Sequence, residues 1–339
     1  MTELVPSVLA CVGEDDPYQE AFVSKRCVAI RVVLPALVRR LPEQAGSLIR
    51  SALADYERKS PEAQREVVMA PLFGYWWHRL SLGYQRGDVA ELMSWVEHLP
   101  RLIEPTTDND HVVLRDQIVV DSGHPWITEY ITTANAKTQL DRNQGDVAPA
   151  PPGEAVAGLT AALDLIDAVW PEMGREINLL VKQIVPIHSA ETVAFSNTVL
   201  NGLIFLRTDL DDVAVAAERI IHETSHLRMN AVFHMHPVHQ HPPEERLHSP
   251  YRKVPRPVDG LYHGAFVFAR IARFLLRAHT VAGGDVWLSR LHEVHAMQTE
   301  ALELIENSVR LTPLGRAQFQ EFREVAREIS AKVSASALH

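Results

Sequence analysis

Cysteine is nearly missing from this chain. Cys11 and Cys27 are the only two in 339 residues. Two thiols make no disulfide framework, and they do not form a C-x-x-C pair, so reduced cysteines in a cytoplasmic protein are expected. Long apolar runs are missing as well. No stretch approaches the roughly 18 apolar residues of a membrane span, and the first thirty residues have neither a basic n-region nor an unbroken apolar h-region, so no signal peptide is expected. Positive charge is in deficit: 33 Lys and Arg against 43 Asp and Glu leave a net charge of −10. That argues against a nucleic-acid partner, because phosphate binding wants a basic face. Internal repeats and long low-complexity tracts are absent. What remains is ordinary globular material, 46% hydrophobic and 22% charged, with ample apolar surface for a core.

The expected fold class is α+β and mostly helical: an N-terminal helical bundle, plus a small sheet packed on a helical core that carries the metal-binding motif. Residues 17–104 place apolar side chains at three- and four-residue spacing, as in "CVAIRVVLPALVRRL" and "GSLIRSALADYERKS", which predicts helices. Asp88 caps one of them, and Tyr75-Trp76-Trp77 reads as core. Val112–Leu114 and Gln117–Val120 read as short strands joined by a turn. The Pro/Gly-rich stretch 143–155 reads as a linker. This divides the chain into a mainly helical region, 1–150, and a second region, 151–339. A helix follows over Ala155–Val169. "INLLVKQIVPI" and "NGLIFLRT" then read as buried strands. Asp209 or Asp211 is expected to cap the next helix. A loop spans 234–257, and helices cover Val258–Val281, Asp285–Val309 and Pro313–Val333.

The helix after that cap contains "IIHETSHLRMNAV", Ile220–Val232, and within it H-E-x-x-H: His222, Glu223 and His226. Residues four apart share a helix face, so His222 and His226 can point two imidazoles at one cation. Glu223 is rotated about 100° away. In zinc peptidases the glutamate of this motif is the general base on metal-bound water. The pattern also arises by chance. Here, however, eight of the 17 histidines fall between 222 and 263, and the preceding "DDVAVAAERII" is a credible helix.

A catalytic site of this kind usually takes a third protein ligand. The metzincin pattern fails, since Met229 and Val232 stand where it needs Gly and His. Glu244 and Glu245 lie in a Pro-rich loop, and Glu293 is far downstream. His263 is the better candidate, because Gly260 and Gly264 beside it would let another element or a ligand come near. Its bland alternative is a hydrogen-bonded core histidine. His234, His236, His239 and His241 read as a solvated or lid-like loop, and His292 and His295 as surface or supporting residues. Arg252 and Arg256 in "SPYRKVPRPVDG" could hold a carboxylate in an arginine fork, against an alternative of surface salt bridges.

"FSNTVLNGLIFL", "IIHETSHLRMNAV" and "SPYRKVPRPVDGLYHGAFVFARIARFLL" together resemble the H-E-x-x-H-motif peptide-modification proteins of ribosomal peptide natural-product pathways. The resemblance covers roughly 175–280 and says little about 1–150. It implies an iron(II)- and 2-oxoglutarate-dependent peptide β-hydroxylase acting on a precursor peptide with dioxygen. It also implies His222, His226 and His263 as iron ligands and Arg252 and Arg256 on the 2-oxoglutarate carboxylate. The usual non-haem iron site is two His and one carboxylate, so this one needs three His, or a carboxylate such as Glu223. In the alternative, a zinc metallopeptidase, Glu223 is the general base. In another, the chain is a non-catalytic peptide-binding scaffold with a structural metal. Residue types alone do not separate iron from zinc, since imidazole suits both.

Overall fold

The computed structural model describes residues 7–336 apart from 12, 14, 15, 40, 105–110, 133–146 and 253. The start of the expected linker, 143–146, lies outside the described residues. The protein is α+β, mostly helical with a small mixed sheet. Among the described residues, no helix is long and apolar enough to cross a membrane.

The chain forms two compact units, and it does not divide cleanly at residue 150. One unit gathers Tyr18–Val156 and Val181–Thr208; the other gathers Met1–Pro17, Ala157–Leu180 and Asp209–His339. The expected boundary falls near one crossing, but residues 181–208 return to the unit of the N-terminal helices. The cause is strand pairing, a non-local interaction that linker composition does not report.

The first unit carries α1 (Pro17–Val28), a π-helical turn (Ala29–Val33), α2 (Leu34–Val38), α3 (Glu43–Glu57), α4 (Pro61–Met69), α5 (Pro71–Arg86), α6 (Val89–Val96) and α7 (Leu99–Ile103). Asp88 caps α6 by accepting from the Glu91 N–H at 2.9 Å, as its position predicts. Tyr75 and Trp76 are buried, and the Trp76 indole donates to the Trp95 carbonyl at 2.6 Å. Trp77 is only half-buried. The sheet follows. β1 (Val112–Leu114) and β2 (Ile118–Val120) pair antiparallel through a tight turn whose central residues, Arg115 and Asp116, have φ of 52° and 59°. The loop is three residues, 115–117, between the paired Leu114 and Ile118, with the Gln117 N–H donating to the Leu114 carbonyl at 3.2 Å, and positive φ at two non-glycine residues carries some strain. After α8 (Pro125–Thr132) and β3 (Ala148–Pro149), the chain leaves for the second unit and comes back as β4 (Gln183–His188), β5 (Ala194–Ser196) and β6 (Leu203–Arg207). The strand order is β1-β2-β4-β6-β5, with β3 also on β4. The β2–β4 and β4–β6 pairs are parallel.

The second unit holds α9 (Val156–Val169), α10 (Pro171–Leu180), α11 (Val213–Met235), α12 (Val258–Ala282), α13 (Asp285–Ser308) and α14 (Pro313–Ser336). Two sequence expectations are corrected here. Ile177–Leu180, read as the start of a strand, is the last turn of α10. Met173, Ile177 and Leu180 are buried at helical spacing, and a short apolar run is ambiguous between the two periods. The cap of α11 is Asp212, not Asp209 or Asp211. The Asp212 carboxylate accepts from the Ala214 and Val215 N–H groups at 3.0 and 3.2 Å, while Asp209 pairs with Arg219 at 2.9 Å. The 234–257 loop begins inside α11 and holds a two-residue hairpin, β7 (Arg246–Leu247) with β8 (Arg256–Pro257).

Candidate functional site

α11 carries the H-E-x-x-H motif, and nearly all of its circumference is covered. Ala216, Ala217, Ile220, Ile221, Leu227, Met229, Ala231 and Val232 are buried, as expected of a helix threaded through a core. The motif's inner residues, Thr224 and Ser225, are fully buried but satisfied, since their hydroxyls donate to the Ile220 and Ile221 carbonyls at 2.8 and 2.6 Å. Two residues beyond His226, the buried Arg228 pairs with Asp16 at 2.5 Å.

The structure brings His222, His226 and His263 together. His226 Nε2 lies 3.1 Å from His222 Nε2, and His226 Nδ1 lies 2.9 Å from His263 Nε2. His263 comes from the second turn of α12, so two helices build the cluster. The edge of Phe268 faces the His222 ring at 5.9 Å, and Phe233 faces His263 at 5.4 Å. The rings are deeply set, and each of the three residues is half-buried. Burial, with the charges of Arg252, Arg256 and Arg290, lowers the His222 pKa to about 4. Burial, then His222 and Arg256, lowers His263 to about 3, against a hydrogen bond with His226 that raises it. Burial, its two histidine neighbours and the same loop arginines push His226 well below the usual imidazole range. All three are neutral at physiological pH, the form that ligates metal.

These shifts make a prediction for metal-free protein. A histidine whose folded pKa is depressed binds fewer protons than its unfolded counterpart, so folding loses stability as pH falls from about 6.5 toward 4. Thermal melts between pH 7.5 and 4.5 should show this loss, and His222→Asn should flatten it. Parallel profiles for the two proteins would contradict the assignment.

The donor set suits a cation. Neutral imidazoles bind zinc and iron alike. Two nitrogens about 2.0–2.1 Å from a common tetrahedral ion sit roughly 3.3 Å apart, close to the His222–His226 separation. His263, in contrast, meets the other nitrogen of the His226 ring. Among the described residues, no group of three or more His, Cys, Asp or Glu side chains is placed so that it could hold a metal ion, so these imidazoles would have to shift to share one. Glu223 is buried at 3% exposure on the adjoining helix face.

Arg256 is half-buried and Arg252 exposed. The Arg256 side chain lies along the first turn of α12, where a Cβ on Gly260 would stand 3.4 Å from its Nε. At Gly264 a Cβ would stand 2.5 Å from the Tyr251 ring, so the two small residues beside His263 admit Arg256 and Tyr251 respectively. The Tyr251 ring stacks on Phe268 at 4.3 Å and 16°. Its hydroxyl donates to Gln298 Oε1 at 2.9 Å, and Gln298 Nε2 donates to the Ala265 carbonyl at 2.9 Å. Arg290, which sequence reasoning missed, forks onto Glu218 at 2.6 and 3.1 Å, one helical turn before His222. Its signal was only a remote basic residue on α13, with no local pattern to mark it.

The remaining histidines and glutamates that the sequence singles out lie outside the cluster, paired elsewhere or exposed. His239 pairs with Asp259 at 2.8 Å and His248 with Glu300 at 3.1 Å. His241 contacts Glu245 at 2.8 Å and accepts from the Arg310 N–H at 2.8 Å, which ties the loop down. His234, His236 and Glu244 are exposed. His295 bonds Ser330 at 2.8 Å, His292 is exposed, and Glu293 pairs with Arg290 at 2.8 Å. In the other unit, a groove of about 470 Å³ is lined by Val33, Leu37, Arg39, Trp77, Leu80 and Tyr84 among others. It contains none of the sequence-predicted site residues. Neither a family model nor a curated protein matches this chain.

Proposed function

We propose that the chain is an iron(II)- and 2-oxoglutarate-dependent hydroxylase of a β-carbon in a ribosomally made precursor peptide, working in the cytoplasm. The observation that carries this reading is the meeting of His222, His226 and His263 from two helices, with the charges of Arg252 and Arg256 acting on His222 and His226 and that of Arg256 on His263. The resemblance of residues 175–280 to the H-E-x-x-H-motif peptide-modification proteins supports it. His222 and His226 would hold the iron through the Nε2 atoms that face each other, and His263 would join them once its ring turns away from His226 Nδ1. With 2-oxoglutarate and dioxygen, the iron supplies oxidative decarboxylation to succinate and hydroxylation of the peptide C–H bond.

The protein's own groups bind and orient. The three imidazoles are already unprotonated, so taking up a cation at neutral pH displaces no proton from them. Arg252 and Arg256 place positive charge beside the cluster, where guanidinium forks hold the far carboxylate of the 2-oxo acid. That charge favours a dianionic co-substrate, which a peptidase does not need. The apolar walls supplied by Phe233 and Phe268 limit water at the rings. The N-terminal helices and the sheet would bind the precursor, its backbone adding to the edge of β1, the first strand in the sheet's order.

The test uses protein purified without oxygen and then given iron(II), ascorbate, 2-oxoglutarate and candidate peptides. Iron-dependent succinate that His222→Ala abolishes, with Glu223→Gln keeping a measurable fraction of turnover, is the expected result. Tight zinc binding, no succinate and peptide cleavage that Glu223→Gln abolishes would establish a metallopeptidase instead. A metal bound without either activity would leave a scaffold.

A further inference from the structure

Tyr251 belongs to none of the roles assigned above, yet three contacts fix it. Its ring stacks on Phe268, its hydroxyl donates to Gln298, and its face fills the space that Gly264 leaves by lacking a Cβ. Gln298 in turn donates to the Ala265 carbonyl, so Tyr251 is tied to both α12 and α13. Arg252 follows it directly in the chain, and its N–H donates to the Ser249 carbonyl at 3.2 Å, closing a turn around Tyr251. The β7–β8 pair closes the base of the same loop at Arg246↔Pro257 and Leu247↔Arg256. The arginine-bearing loop is therefore held at its base by a hairpin only two residues long, and within the loop by Tyr251 and by the exposed His248–Glu300 pair. Two residue pairs of hairpin are marginal alone, so the tyrosine carries much of the fixation. Phe268 presents its other contact to the His222 ring, so the anchor and the histidine cluster share one aromatic side chain.

We propose that Tyr251 is a positioning residue that locks the 246–257 loop onto α12 and α13, so that Arg252 and Arg256 face the histidine cluster and set its affinity for a dicarboxylate. This rests on the 2-oxoglutarate reading above, and it assigns Tyr251 no place in the metal's ligand set. Because Tyr251 acts through the arginines, its loss should matter only while they are present. Such a dependence shows as non-additivity in a double-mutant cycle.

The experiment uses the full chain loaded with Co(II), whose absorption reports metal binding, and titrates 2-oxoglutarate. Tyr251→Phe, which keeps the ring and loses the hydroxyl, and Gly264→Ala, which displaces the ring, are each compared with Arg252→Gln. The expected result is Co(II) affinity within about twofold of wild type and 2-oxoglutarate affinity weaker by about tenfold, the worth of one charge-assisted contact. In turnover, KM for 2-oxoglutarate rises while kcat holds, and Tyr251→Phe adds little on top of Arg252→Gln. Equal losses of metal and 2-oxoglutarate affinity, or fully additive effects, would overturn the proposal. If wild-type protein takes up no 2-oxoglutarate, the functional reading fails. The loop lock is then judged on amide exchange across 246–257, which must quicken severalfold in Tyr251→Ala, and unchanged exchange overturns it.

Discussion

Arg270→Ala should destabilise the protein by about 3–5 kcal/mol, the cost of leaving one half of a buried ion pair uncompensated. Arg270 on α12 and Glu176 on α10 are both fully buried, 2.7 Å apart. The guanidinium also lies over the Phe266 and Trp170 rings, 5.3 and 6.0 Å from their centroids, and reaches Met173 Sδ at 3.6 Å. Beside it, burial pushes the Cys11 thiol up to about 12, so that sulfur stays neutral and adds no second anion to the Glu176 carboxylate. Alanine removes the cation and leaves the carboxylate in the core. Replacing both partners, Arg270→Met with Glu176→Leu, should recover most of the loss, because apolar groups of similar volume often match a buried pair. Urea unfolding followed by circular dichroism measures both proteins. A single variant within 1 kcal/mol of wild type would mean that water reaches the pair.

His226→Ala should abolish metal binding, with a loss above the roughly 10–100-fold that removing a ligand's outer partner costs. His226 is the middle of the cluster: one ring nitrogen faces His222 at 3.1 Å and the other faces His263 at 2.9 Å. Removing it separates the two others and deletes one of the i, i+4 pair on α11. His222→Ala should match it. His263→Ala decides the ligand count, and a loss of the same order is expected. A His263→Ala protein that takes Co(II) as tightly as wild type would reduce the set to the two histidines of α11. The readout is Co(II) titration by absorption with a competing chelator, alongside circular dichroism to show that each variant is folded.

The secondary structure was legible wherever the signal was local. Apolar periodicity marked the N-terminal helices and the three C-terminal ones, and the side chain of Asp88 marked a helix start. Ambiguity appeared where two local rules competed. Asp209, Asp211 and Asp212 are equivalent as cap residues on paper, and only the position of the first helical residue selects Asp212. "INLL" satisfies a strand pattern and a helix face equally, and the burial of Met173, Ile177 and Leu180 on one side selects the helix.

The sequence alone determined that two histidines share a helix face, that a third histidine between two glycines stands near a pair of arginines, and that the body is α+β. These follow from fixed helical periodicity and from residue chemistry. Only the tertiary structure decided that His263 meets His226, since 37 residues separate them. It alone showed that Tyr251 occupies the gap at Gly264, that Arg290 adds its charge to His222, and that residues 181–208 rejoin the N-terminal unit through strand pairing. Each of these is a contact between residues distant in the chain. Such contacts are fixed by the packing of whole helices and strands, which no short window of sequence contains.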